Sequence, residues 1–314
     1  MPRGNAAPRS AANSYREVKP DANALSLITR VLEKPLSAMR DVVTMTRFRL
    51  IAPALALLTV AAAPAPPPAP PIPYVALADM ALAAPIAIAA DIAAAQPLKG
   101  DAAVGVPAGK ARFYVEADVR ALIRGNAMLP ARISYLVDVP LDAKGKKPKL
   151  KGMPVLLLAA PTARPGELRL IGPLAQIPRT SANETKLRAI LTEAVAPDAP
   201  PAITGVARAF HVAGSLPGEG ESQIFLRTAD GRPISLNVLR RPGEEPRWAV
   251  ALSELVDDSA APPKPESLLW YRLACGLPAK LPNAATAAIA PADADQARAD
   301  YALVLAGLGP CTRG

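Results

Sequence analysis

The chain is short of the residues that enzymes most often use for acid–base and metal chemistry. It has one histidine, His211, and two cysteines in 314 residues. A single histidine excludes any site built from several imidazole ligands and leaves His211 as the sole candidate for a histidine base. His211 lies in the apolar run AFHVAG, which is typical of a strand, so we interpret it as a structural residue.

The common nucleotide-binding and hydrolase motifs are also missing from the sequence. There is no Walker A pattern, no G-x-G-x-x-G after a strand and no G-x-S-x-G, and the AGSLPG segment around Ser215 lacks that spacing. The GEGES segment carries Glu219 and Glu221, whose negative charge disfavours phosphate binding. We therefore predict no catalytic nucleophile, no metal and no cofactor.

Paired carboxylates are the one remaining route to hydrolysis without histidine. Glu116 and Asp118 lie two residues apart on one face of a predicted strand, and Glu219 and Glu221 share a face if their loop is extended. Two carboxyl groups can act as acid and base or nucleophile in glycoside hydrolysis. Such pairs are common on solvent-facing surfaces, so a carboxylate hydrolase is the alternative rather than the preferred interpretation.

Aromatic residues are scarce, at 4% of the chain, and the charge is unevenly distributed. The net charge is +9, but nine of the 36 basic and four of the 27 acidic residues precede Ala63, which leaves 27 basic and 23 acidic residues beyond it. A nucleic-acid-binding protein usually shows a concentrated basic face with stacking aromatics, so we expect no nucleic-acid partner. The bias towards alanine, proline, glycine and arginine suits a GC-rich bacterial genome.

An export signal is the clearest feature that is present. Residues 45–62 begin with Met45, carry Arg47 and Arg49, and continue with an apolar run of about eleven residues before Ala62. This order of a basic, an apolar and a small-residue region is typical of a secretory signal peptide. The sequence therefore predicts cleavage after Ala62, a periplasmic or secreted protein, and no transmembrane span in the mature form.

The residues before Met45 do not fit a signal peptide, because they are polar and mixed in charge. We interpret residues 1–44 as an upstream extension created by a start codon assigned too early. The alternative is a cytoplasmic tail followed by a membrane anchor over residues 50–65. Residues 63–73 are rich in proline and alanine and are typical of an extended spacer.

Residues 74–178 predict a β domain. Period-two alternation and short apolar runs mark strands near residues 112–120, 133–139, 155–158 and 168–170. The alanine-rich residues 74–95 predict one long strand broken near Pro85, with a helix as the alternative. Five strands over this length suit a small barrel or a sandwich, and an OB-like barrel is one form this could take.

Residues 179–314 predict an α+β domain. Ser181 and Glu184 have the spacing of a capping box, and the helix that follows ends before Pro197. Asp230-Gly231 between two strand-like runs predicts a hairpin with positive φ at both turn residues. A third strand over residues 247–252 and two C-terminal helices complete the domain. The fold class is therefore α+β, with an N-terminal barrel or sandwich, a helix with a hairpin sheet, and two final helices.

The two cysteines lie near the ends of the two predicted C-terminal helices. An exported protein with an even number of cysteines favours a disulfide, here between Cys275 and Cys311. The bond would bring the two helix ends together; the alternative is a pair of buried thiols. A redox-active pair is disfavoured, because the spacing is not C-x-x-C.

Five lysines form the densest run of charge in the mature chain. They lie between two predicted strands, at Lys144, Lys146, Lys147, Lys149 and Lys151. Such a run could contact an anionic envelope polymer or lipid headgroups. A solvated loop that keeps a strand edge from aggregating is the simpler alternative. We therefore expect a non-catalytic binding or scaffolding protein of the cell envelope, with no partner identified and an anionic envelope component as the candidate.

Overall fold

The computed structural model describes residues 72–125, 128–252 and 261–312. The predicted upstream extension (1–44) and signal peptide (45–62) lie outside the described residues, as does the spacer up to residue 71. None of the described helices combines the length and the apolar character that crossing a membrane requires.

The first half of the described chain contains one helix and six strands. Helix α1 spans Tyr74–Ala83. The strands are β1 (Ile86–Pro97), β2 (Lys110–Arg124), β3 (Arg132–Pro140), β4 (Pro154–Pro161), β5 (Glu167–Leu170) and β6 (Gln176–Pro178). In β3 and in β2 up to Val119, every second side chain faces the interior, as the period of two predicts. Beyond Val119, Ala121 and Ile123 pack against the cluster that contains α1.

Five of these strands close into a barrel. Strand β1 pairs with both β2 and β4, so the circuit runs β1-β2-β3-β5-β4 and returns to β1. All neighbours are antiparallel except β3 and β5, which are parallel. Because the sheet closes on itself, the prediction of a barrel is confirmed and the sandwich alternative is wrong. The five strands of the barrel agree with the OB-like form. The interior is filled mainly by aliphatic side chains, with Phe113 and Tyr135 as the large aromatic members.

Helix α1 corrects the prediction of one long strand over residues 74–95. Only the part after Pro85 is a strand, because the residue before a proline disfavours the helical region and Pro85 therefore separates the two elements. Tyr74–Ala78 are all buried, since α1 packs on the outside of the barrel against α2 (Ser181–Val195) and side chains of β1 and β4. The helix alternative was therefore right for the first half of the segment.

The start of α2 lies one residue earlier than the capping-box prediction placed it. Thr180 is the N-cap, and its hydroxyl oxygen accepts a hydrogen bond from the Asn183 N–H at 3.1 Å. Glu184 instead pairs with Arg188 one turn later. Leu187, Ile190 and Leu191 form the buried face, as the helical period predicts.

A second sheet follows α2. Its strands are β7 (Ile203–Ala213), β8 (Gly220–Thr228), β9 (Ser235–Arg240) and β10 (Arg247–Ala251), antiparallel in the order β10-β9-β8-β7. The predicted hairpin joins β8 to β9, but only Gly231 of the turn has positive φ, at 80°. Asp230 instead accepts the Arg232 N–H with its carboxylate, so the turn is longer than the predicted two-residue type.

Two helices cover one face of this sheet. Helix α3 spans Leu268–Gly276 and α4 spans Pro291–Leu308, and the Cys275–Cys311 disulfide joins their C-terminal ends with a Cα–Cα distance of 5.1 Å. Helix α3 also contacts the helices on the barrel. The Trp270 indole donates to the Leu308 carbonyl, and its ring lies edge-on to Tyr74 of α1. The Tyr271 hydroxyl bonds Asp79 of α1 at 2.6 Å.

Candidate functional site

The five lysines lie in the connection between β3 and β4, residues 141–153, which we call the lysine loop. All five side chains are exposed. None of them has an ion-pair partner among the residues that the structure describes. Their positive charge therefore faces solvent and is not neutralised by ion pairs among the described residues.

The lysine loop is held to the barrel at a defined point. Leu150 is 3% exposed and belongs to the barrel interior, although Lys149 and Lys151 on either side are exposed. The backbone continues this attachment, because Gly152 N–H donates to the Ile92 carbonyl and Ile92 N–H to the Met153 carbonyl. The apolar anchor directs its two neighbouring lysines outward.

The first part of the lysine loop is organised by Asp142. One carboxylate oxygen of Asp142 accepts the Lys144 and Lys146 N–H groups at 2.8 and 2.7 Å. These backbone bonds engage the only acidic side chain of the loop. Lys110 adds to the positive charge, since it pairs with Pro140 immediately before the loop begins.

A cleft of about 520 Å³ opens on the outer side of the barrel between β3 and β5. We call it the seam cleft. Its walls include Arg112 and Tyr114 of β2, Leu136 and Asp138 of β3, and Arg169 of β5, with Gly172 and Pro173 beyond the end of β5. The sequence did not predict this cleft, because the cleft forms where the pairing of β3 with β5 ends, and these strands are distant in sequence.

An ion pair stiffens one wall of the seam cleft. Arg112 donates from Nε and one terminal nitrogen to the two carboxylate oxygens of Asp138, at 2.7 and 2.9 Å. The other terminal nitrogen reaches the Val104 carbonyl. This bidentate bond holds the pKa of the Asp138 carboxyl below its usual range, so both groups stay charged at neutral pH.

The carboxylates singled out for hydrolysis do not converge. Asp118 is paired with Arg132, which lowers its pKa, whereas a general acid needs a raised one. Glu219 accepts the Ser215 and Leu216 N–H groups and so closes its own turn. Glu116 is half-buried beside the outward-facing Asp118, and Glu221 is exposed on β8. None of these four carboxylates lines the seam cleft.

His211 belongs to a buried polar network that joins the second sheet to α4. Its Nδ1 lies 3.0 Å from the Ser222 hydroxyl, which donates to Asp300 at 2.5 Å. Arg240 donates to the other Asp300 oxygen at 2.7 Å. In a serine hydrolase the histidine lies between serine and aspartate, but here Ser222 occupies that middle position and is fully buried. The geometry supports a structural role.

Sequence reasoning did not identify Ser222, Arg240 or Asp300 as partners of His211. The available signal was Asp300, an acidic residue on the apolar face of α4 between Ala297 and Val304. Among the described residues there is no group of three or more histidine, cysteine, aspartate or glutamate side chains placed to hold a metal ion.

The lysine loop and the seam cleft are thus the two candidate sites. Both depend on strand β3, since the cleft lies along its edge and the loop follows its end. No protein-family model matches the chain. A search of curated proteins likewise found no significant match.

Proposed function

We propose that this chain is an exported, non-catalytic binding module that contacts anionic groups of the bacterial cell envelope through the lysine loop. The observation that carries the proposal is the presence of five exposed lysines within eight residues, none paired with an acid among the described residues. Each basic residue near an anionic surface contributes about 1 kcal/mol of attraction. Five together give about 5 kcal/mol, which corresponds to a weak, reversible association with a submillimolar Kd that salt weakens further.

The attachment of the lysine loop favours binding over simple solvation. Leu150 anchors the loop in the barrel, and Asp142 orders its first turn by accepting two backbone N–H groups. An ordered loop loses less conformational entropy when it meets a partner than a free one does. A periplasmic or secreted location agrees with the signal-peptide pattern of residues 45–62 and with the disulfide bond.

The carboxylate hydrolase gains no support from the described residues. Such an enzyme needs two acidic groups facing one substrate, one of them with a raised pKa. Asp118 is held ionised by Arg132, and Glu219 is engaged by backbone N–H groups of its own turn. We therefore propose binding as the single function.

The proposal is tested by sedimentation of the purified exported form, which begins at Ala63, with vesicles and with cell-wall sacculi. Vesicles rich in phosphatidylglycerol supply phosphate anions, sacculi supply carboxylates, and phosphatidylcholine vesicles are the neutral reference. We expect binding to at least one anionic surface, and weaker binding as salt shortens the Debye length from about 30 Å at 0.01 M to about 8 Å at 0.15 M.

A matched pair of variants assigns the binding to the loop. One carries K144Q, K146Q, K147Q, K149Q and K151Q; the control carries R227Q, R241Q, R247Q, K264Q and K280Q, which are exposed elsewhere and remove the same charge. The loop variant should lose about a thousandfold in affinity at low salt, since the five lysines together contribute about 5 kcal/mol. Equal losses in both variants, or none in the loop variant, contradict the proposal.

A further inference from the structure

The seam cleft exists because the pairing of β3 with β5 stops early. Only two residue pairs form this parallel ladder, Ser134 with Glu167 and Tyr135 with Leu168. Strand β3 continues to Pro140, whereas β5 ends at Leu170 and the chain turns away through Gly172 and Pro173. The last residues of β3 therefore lack a paired strand on this side.

The direction of the backbone groups on β3 follows from its existing bonds. Ser134 donates its N–H to Gly166, on the β5 side. In a strand, alternate residues direct their N–H and C=O groups to the same edge, so Leu136 and Asp138 also face the β5 side. Leu141, an odd-numbered residue, donates to Gly109 on the β2 side, which agrees with this alternation.

Three backbone groups thus face the seam cleft with no β5 residue paired opposite them. These are the carbonyl of Leu136 and both the N–H and the carbonyl of Asp138. Over the distance from Leu136 to Pro140, a strand rising about 3.3 Å per residue spans about 13 Å. An unpaired edge of this length can receive about four residues of an added strand.

The side chains around the seam cleft determine which side chains an added strand would need. Leu168 and Val137 are buried beneath the cleft and Leu170 is half-buried, which suits small apolar residues at every second position. On the outer side, Leu136 is 51% exposed and Tyr114 is 38% exposed, beside Arg169, which has no ion-pair partner among the described residues. The far end of the edge leads directly into the lysine loop.

We propose that the seam cleft binds an extended acidic peptide, which adds as a strand to the free edge of β3 and places its acidic residues against Arg169 and the lysine loop. The strand addition rests on the unpaired backbone groups of Leu136 and Asp138. The acidic character rests in part on the proposed function, because it requires that the lysine loop bind anions.

The test uses synthetic peptides with the purified full chain. The probe alternates valine and threonine and ends in a block of glutamates, placed at either terminus because the strand can add in either direction. Its matched control carries N-methyl groups on the backbone nitrogens of one edge, which removes hydrogen-bond donors and keeps every side chain. Since each bond contributes roughly 1 kcal/mol, methylating two donors should weaken binding about tenfold or more, measured by fluorescence anisotropy.

The position of the bound peptide is read by amide hydrogen exchange and by variants. The Asp138 N–H should become protected from exchange when the probe binds. Leu136→Glu should weaken binding by about tenfold or more, because it puts a negative charge beside the peptide. Leu122→Glu is the matched control, since Leu122 is 44% exposed on β2 and lies outside the cleft lining. Arg169→Gln, at an exposed residue, gives a second and milder loss if Leu136→Glu fails to fold.

The outcomes separate this proposal from the proposed function. Three results overturn strand addition, whatever the vesicle experiment gives. They are equal binding of the methylated and unmethylated probes, no binding of the probe, and binding without protection of the Asp138 N–H from exchange. If the probe binds with the expected protection but neither salt nor the five lysine substitutions change its affinity, the acidic character of the partner is wrong. If the lysine variant loses vesicle binding while the probe fails to bind, the proposed function stands and the strand addition does not.

Discussion

Asp300 of α4 accepts a hydrogen bond from Ser222 of β8, and this contact joins the C-terminal helix to the sheet beneath it. Both residues are fully buried, and Arg240 compensates the charge of the aspartate. The network links α4 to the second sheet and is not a reactive site, because the Ser222 hydroxyl has no access to solvent.

Asp300→Asn should destabilise the protein by about 2–4 kcal/mol. The substitution keeps the size of the side chain but leaves the half-buried Arg240 without its counter-charge, which is the costly way to break such a pair. Urea denaturation measures the change in the free energy of unfolding. Asp295→Asn is the control: Asp295 is 79% exposed and pairs with Arg298, so its loss should cost no more than about 0.5 kcal/mol. Similar changes in the two variants would contradict the structural role of Asp300.

Removing the disulfide should lower the free energy of unfolding by about 4 kcal/mol. Cys275 and Cys311 are 36 residues apart, and the chain-entropy relation gives this value for a loop of that length. The double variant C275S/C311S should therefore unfold at a lower urea concentration than the oxidised wild type. Adding a reductant should move the wild type to the same midpoint. Alkylation of both cysteines in the native protein without any reductant would contradict the bond.

Leu150→Ala should destabilise the barrel by about 2–4 kcal/mol. The leucine is 3% exposed among the interior side chains, so its truncation leaves a cavity. Leu174→Ala serves as the comparison, because Leu174 is 54% exposed and should change stability by no more than about 0.5 kcal/mol. Equal stability of L150A and the wild type would show that the lysine loop is not anchored at this residue.

The Arg112–Asp138 pair should make stability depend on pH in the acid range. Because Arg112 lowers the folded-state pKa of Asp138, the contribution of the pair is present above the unfolded pKa of about 3.9 and is lost as the pH falls through the folded value. Arg112→Gln should destabilise the protein at pH 7 and should raise the pKa of Asp138, measured by carboxyl NMR. Arg247→Gln, at a residue 75% exposed, should leave that pKa unchanged. A pKa of Asp138 that is the same with and without Arg112 would rule out this cause.

Local patterns were enough to predict most of the barrel. Strand β3 and strand β2 up to Val119 alternate, because one face is interior and the other faces solvent, and the period of two is visible in the sequence. Strand β6 has only three residues and gives no pattern. Strand β7 was recognised only near His211, since irregularities between Ile203 and Gly205 and between Val206 and Arg208 break its alternation.

The sites were less predictable than the strands. The lysine loop is contiguous, so its charge and its place between two strands can be read along the chain. The seam cleft and the Asp300 network are made by residues far apart in sequence, such as Tyr135 with Leu168 and Ser222 with Asp300. The position at which one strand leaves another depends on the packing of the whole barrel, which no local pattern encodes.

The contacts of α3 set an order of events for folding. Tyr271 bonds to Asp79 across 192 residues of sequence, and Trp270 packs on Tyr74 of the same early helix. During synthesis, α1 emerges long before α3, so the surface that it will share with α3 stays uncovered in the interval. Long-range closure of this kind slows folding and exposes apolar surface to aggregation. Folding of this part of the chain therefore cannot be complete before residue 271 has been synthesised.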